Sequence, residues 1–199
     1  MPIPMGHWLV RCVGAALLLS ASPVCAIEVH PASAQIRASL DAGRAMAQRG
    51  GPPDSFYARF GAEDEVHPSG FLITKLGALS VMATHMALRG LQPSEADIAQ
   101  VLDTKTMLIS AVIFGDAPNF AVESYLVLDQ RGQTVKPVTV RFDGQASRSA
   151  AWPDSPRFKA KVVASFDYDD FDPTAKTTIT VFPAAGGAVN FSVDFSAIP

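Results

Sequence analysis

The chain has 199 residues, 48% of them hydrophobic and 18% charged, with 16 Lys and Arg against 19 Asp and Glu. That is enough chain for one sizeable core and one compact unit. A net charge of −3 also argues against nucleic acid as a partner.

Residues 1–26 have the pattern of a secretory signal peptide. Arg11 precedes the apolar run Val13–Leu19, and Val24-Cys25-Ala26 supplies a small-residue cleavage site. Cys25 could also belong to a lipoprotein box, but Pro23-Val24 fits one poorly. Cleavage after Ala26 starts the mature chain at Ile27 in a periplasmic or secreted compartment. It removes one arginine and no acid, so the net charge becomes −4, and it removes Cys12 and Cys25, the only cysteines. The exported chain would then rely on its core rather than on a disulfide.

A helix is expected over 31–49, with Ile36, Leu40 and Ala47 on its apolar stripe and Gly50-Gly51-Pro52-Pro53 as its stop. Phe56, Tyr57 and Phe60 in the next stretch suggest a short helical turn docked on a larger element. That element is Gly70–Arg89, apolar on nearly every side of a helical wheel, as in a buried core helix or a membrane span. Lys75 interrupts it, and a span needs about 20 predominantly apolar residues, so the sequence favours a core helix and no stable membrane span. The Lys75 stem would pack while its amine reaches water, and His85 would sit at the edge of the core. A third, short helix is expected after Pro93-Ser94-Glu95-Ala96-Asp97, a helix-start signature with acids near the positive end of the dipole.

From Thr106 the period changes from helical to alternating. Strands are expected over 106–114, 121–129, 134–142, 158–168, 177–182 and 188–195, with hairpin turns at Arg131-Gly132 and Gly186-Gly187. Six strands without intervening helices imply antiparallel sheets. The expected fold is therefore α+β: an N-terminal layer of about three helices packed on a C-terminal antiparallel β-sandwich. Its architecture would be immunoglobulin-like, though without the Cys…Trp…Cys hallmark of that fold. The division would be a leader over 1–26, a helical subdomain over 27–104 and a sandwich subdomain over 105–199.

Motifs for chemistry are few. Asp167, Asp169, Asp170 and Asp172 stand within six residues and could converge on calcium, or simply cap a solvated turn. His30, His67 and His85 lack metal-ligand spacing. No nucleophile elbow, S-x-x-K or phosphate-cradling glycine motif occurs, so an enzyme is the less favoured expectation. Charge is more informative. Between Arg131 and Lys161 seven basic residues face two acids, a net of +5, and within that stretch lies the loop DGQASRSAAWPDSPR. Its Arg148, Trp152 and Arg157 are the residue types enriched at interface hot spots, on a loop held by sheets, where binding sites concentrate. The simpler alternative is that Trp152 folds back over one end of the sandwich. The sequence thus points to an exported binding or accessory module contacting an envelope or secreted protein, or a surface ligand, through Arg148, Trp152 and Arg157. A calcium-assisted or carboxylate-based hydrolase is the alternative.

Overall fold

The computed structural model describes residues 26–198. The proposed leader, apart from Ala26, lies outside the described residues. Three α-helices and two antiparallel sheets make up the described chain, an α+β fold with the sheets face to face. Helix α1 spans Ser33–Gln48, and a 3-10 turn at Pro53–Phe56 leads into strands β1 (Ala58–Gly61) and β2 (Ser69–Ile73). Helices α2 (Lys75–Ala87) and α3 (Glu95–Leu102) follow, then β3 (Thr106–Gly115), β4 (Tyr125–Gln130), β5 (Gln133–Val135) and β6 (Thr139–Phe142). The chain finishes with β7 (Ser147–Arg148), β8 (Phe158–Asp167), β9 (Lys176–Phe182) and β10 (Val189–Asp194). The larger sheet runs β1-β2-β3-β8-β6, with β7 also on β8, and the smaller runs β10-β9-β4-β5.

Gly70–Arg89 is not one helix. Its first residues alternate as a strand, with Gly70 and Leu72 buried and Phe71 and Ile73 half-buried. Gly70 is required there: a Cβ would come within 2.5 Å of the Phe60 ring and of the Ser110 carbonyl oxygen. The helix begins only where Thr74, as N-cap, accepts the Gly77 N–H at 3.0 Å. The aromatic stretch before it is also divided, into the 3-10 turn and β1. Both β1 and β2 therefore belong to the larger sheet, which extends across the division expected at 104/105.

Inward residues of both sheets form one core: Ile109, Ile113, Val162 and Phe166 from the larger sheet meet Leu126, Leu128, Ile179 and Val181 from the smaller. This is the strand alternation made physical, since successive side chains leave opposite faces. Lys136-Pro137 interrupts the expected strand over 134–142. Proline donates no ladder hydrogen bond, and here the chain leaves β5 in the smaller sheet and enters β6 in the larger.

The helices do not form a layer across a sheet. They have their own small cluster, in which Leu40, Leu79 and Ala83 are buried with Ile36, Ile98 and Leu102 against them. They gather at the end where β2 stops and β3 starts. Gly43 lets α1 approach α2 closely: the Ser80 hydroxyl donates to the Ser39 carbonyl at 3.0 Å, and that of Thr84 to the Gly43 carbonyl at 3.1 Å. No described helix is long and apolar enough to cross a membrane. At the start of the described chain the Ile27 side chain is 2% exposed and part of the main core, and its N–H donates to the Pro173 carbonyl at 3.3 Å.

Candidate functional site

Strand register sorts the loops into two ends. Gly115 lies opposite Phe158, and Tyr125 opposite Phe182. The loop between Asp143 and Arg157, the 116–124 connection and the Tyr125–Phe182 pair therefore share the end remote from the helices. The aspartate-rich turn after β8 lies at the helical end, where Tyr168 N–H donates to the Lys105 carbonyl at 3.0 Å.

The Trp152 loop is held along much of its length. Its first part carries β7, where Ser147 and Arg148 pair with Lys159 and Phe158, and Ala146 N–H reaches the Pro118 carbonyl at 2.8 Å. Ser149, nearly buried, donates its N–H to the Arg157 carbonyl at 2.9 Å and its hydroxyl to the Pro156 carbonyl. The Ala151 N–H in turn donates to the Ser149 hydroxyl at 3.1 Å. Both X–Pro bonds, Trp152–Pro153 and Ser155–Pro156, are cis.

Asp116 ties the second limb down. Its carboxylate accepts the Arg157 N–H at 3.0 Å and the Ser155 hydroxyl at 2.9 Å, and the Arg157 guanidinium approaches to 3.5 Å. These donors, the Arg157 backbone first, hold its pKa below the ordinary aspartate value.

At the tip the Trp152 indole is 41% exposed, braced edge-on against Phe158 with centroids 5.4 Å apart. The Arg148 guanidinium lies 4.5 Å from its ring centroid, within cation–π range. Of the three residues singled out in sequence, the structure thus brings Arg148 and Trp152 into one exposed pair. Arg157 anchors the loop instead. Asp116 was missed because its contacts span 39 and 41 residues, and no local pattern marks such a partner.

The basic stretch is not one patch. Arg131 pairs with Asp172 at 3.1 Å, and Lys136 lies beside the smaller sheet. Arg141, opposite Val163, shares the outer face of the larger sheet with Lys159 and Lys161.

Two of the four aspartates, Asp167 and Asp172, cap their own turn. Asp167 accepts the Asp169 N–H at 3.0 Å, and Asp172 accepts the Thr174 N–H at 2.8 Å and its hydroxyl at 2.7 Å. The Thr174 donors, with Arg131 adding its charge, hold the Asp172 pKa low. Buried Gln130 latches the turn, accepting the Asp172 N–H at 2.8 Å and donating to its carbonyl at 3.0 Å. Tyr168 and Phe171 point into the core between them. Among the described residues no group of three or more His, Cys, Asp or Glu is placed to hold a metal ion.

Two expectations about α2 are corrected. His85 is exposed rather than at a core edge. Lys75 turns inward rather than outward: it is 7% exposed, and its Nζ donates to the Leu102 carbonyl at 2.7 Å, 5.1 Å from the Tyr168 ring centroid. The α3 C-terminus offers an unsatisfied carbonyl, and folding the amine onto it solvates the charge internally. No family model and no curated protein matches the chain.

Proposed function

We propose that the chain is an exported, non-enzymatic binding or accessory module of the periplasm or secreted space, contacting a protein partner through the loop tip at Arg148 and Trp152. One observation carries this reading: an exposed tryptophan with a guanidinium on its ring, presented by a loop fixed to a two-sheet scaffold. An aromatic ring already held in place loses little side-chain entropy on binding, and Trp and Arg dominate interface energetics. Arg157 acts as a positioning residue through Asp116. The immunoglobulin-like comparison belongs to the same proposal, because it too is an architecture of paired sheets presenting loops at an end. The hydrolase alternative is favoured by no contact at the aspartate-rich turn.

The test is capture from envelope extract on an immobilised chain beginning at Ile27. Trp152→Ala and Arg148→Ala should abolish recovery of the partner while leaving the melting temperature within about 2 °C, as expected of surface changes. Recovery undiminished in both variants would refute the assignment of the site.

A further inference from the structure

A concave surface lies on the outer face of the smaller sheet, and nothing in the loop's role accounts for it. Alternation along β4 puts Tyr125, Val127 and Asp129 on that face, and register sets Tyr125 opposite Phe182 and Asp129 opposite Thr134. The two rings stack with centroids 5.0 Å apart and planes 18° from parallel, although Tyr125 is 47% exposed. They form one wall of a cleft of about 460 Å³, completed by Asp129, Thr134, Lys136 and Pro137. The Asp129 carboxylate is held in place: one oxygen accepts the Thr134 hydroxyl at 2.6 Å, the other the Thr180 hydroxyl at 3.1 Å. Each carboxylate oxygen has capacity for a further donor. Lys136 is exposed at the rim and makes no ion pair among the described residues.

We infer that this cleft is a binding site for a neutral oligosaccharide, with one pyranose ring against the Tyr125–Phe182 wall and hydroxyls of the adjoining ring, about four strand residues further along, donating to Asp129. The chemistry selects the ligand class. A pyranose has an apolar C–H face that suits an aromatic ring and equatorial hydroxyls that both donate and accept, as a mostly apolar pocket with a few fixed polar groups requires. Asp129 takes hydroxyl donors, and Lys136 and the threonine oxygens give the remaining hydroxyls partners of both kinds. Opposite charges at the rim favour an uncharged ligand over an anion or a cation. A proline-rich peptide, the other usual occupant of aromatic grooves, offers carbonyl acceptors and few donors, so the fixed carboxylate would stand idle against it.

The proposal is independent of the Trp152 loop, and the experiment keeps the two apart. The chain beginning at Ile27 is titrated calorimetrically with cellohexaose, chitohexaose, xylohexaose and mannohexaose, and with a proline-rich peptide. At least one oligosaccharide is expected to bind in the micromolar-to-millimolar range. Tyr125→Ala and Asp129→Asn should each weaken it about tenfold or more, whereas Tyr125→Phe, which keeps the ring, should change it less than about threefold. Trp152→Ala should leave it unchanged. Absence of binding by all four sugars at millimolar concentration overturns the proposal. So does sugar binding indifferent to Tyr125→Ala and Asp129→Asn, and so does binding of the peptide alone with loss in Tyr125→Ala.

Discussion

Lys75 and Tyr168 occupy the junction between helices and sheets, and burial acts on them in opposite directions. Burial is the main cause lowering the Lys75 pKa, with Lys105 adding repulsion. The unfolded chain therefore holds this proton more tightly, and the Lys75 contribution to stability rises with pH up to its ordinary value near 10.5. Burial pushes the Tyr168 hydroxyl up to about 12 from 10.0, against a small opposing effect of the Lys75 backbone. Its contribution is fully present below pH 10 and is lost between about pH 10 and 12, as the unfolded chain ionises first. Tyrosinate absorbance should accordingly show a step near pH 12 that disappears in Tyr168→Phe; identical titrations would place the phenol in water. Asp116 gives the acid counterpart. A depressed carboxylate contributes above its ordinary pKa and loses that contribution as pH falls through the lower folded value. Trp152 is the only tryptophan after residue 26, so its fluorescence reports the loop, with an expected acid midpoint below 3.8 that vanishes in Asp116→Asn. At the aspartate-rich turn, the Asp167 and Asp172 carboxylates accept donors of their own turn, and no described group of three or more His, Cys, Asp or Glu is placed to hold a metal ion. Millimolar calcium should therefore leave the melting midpoint within about 1 °C of a chelated sample, where a bound ion would raise it by several degrees.

Helix α1 crosses α2 at Gly43, where an added Cβ would lie 2.3 Å from the Ser80 carbonyl oxygen and 2.7 Å from Ala83 Cβ. Alanine is the better helix former by about 1 kcal/mol, yet Gly43→Ala should destabilise the chain by about 1–3 kcal/mol, because backbone cannot yield as a flexible side chain does. Denaturant unfolding checks the sign; a gain would mean the helices sit farther apart. That glycine was invisible in sequence, since only its partner helix gives it a role. Other elements were legible for a physical reason. In β8, Ala160, Val162, Ala164 and Phe166 are buried at every second position, and a sheet with one wet face writes that period directly into the chain. Strand β2 failed the same test because its five residues abut a helix whose own pattern is apolar all round, so the two periods merged. Trp152 stood out by composition alone. Its Asp116 anchor and the Tyr125–Phe182 pair depend on register between distant strands, which no local window contains.

Across the molecule, stability is divided unequally. The helical cluster buries three hydrophobic residues outright, whereas the two sheets share a core of more than twenty. The smaller unit should open first, since local opening follows the apolar contacts that must be broken. Native-state hydrogen exchange is expected to release α1 and α3 amides well before those of β3 and β8, with the Lys75–Leu102 bond as the tie between α3 and α2. Equal protection throughout would show one cooperative unit. The polarity of the ends follows the same division. The Trp152 loop and the Tyr125 cleft both depend on the firmly held strands, far from the part that opens most readily.

The burial of Ile27 bears on maturation. Were the proposed leader removed, the core would accept no cut beyond this residue without losing a side chain worth about 1.5–3 kcal/mol. Cleavage after Ala26 is thus the latest position that leaves the core whole. A chain beginning at Val29 should melt several degrees below one beginning at Ile27, and N-terminal sequencing of exported protein should find no start later than Ile27. On the proposed export route, folding itself would then discriminate among trimmed chains, since only those that keep Ile27 fill the core.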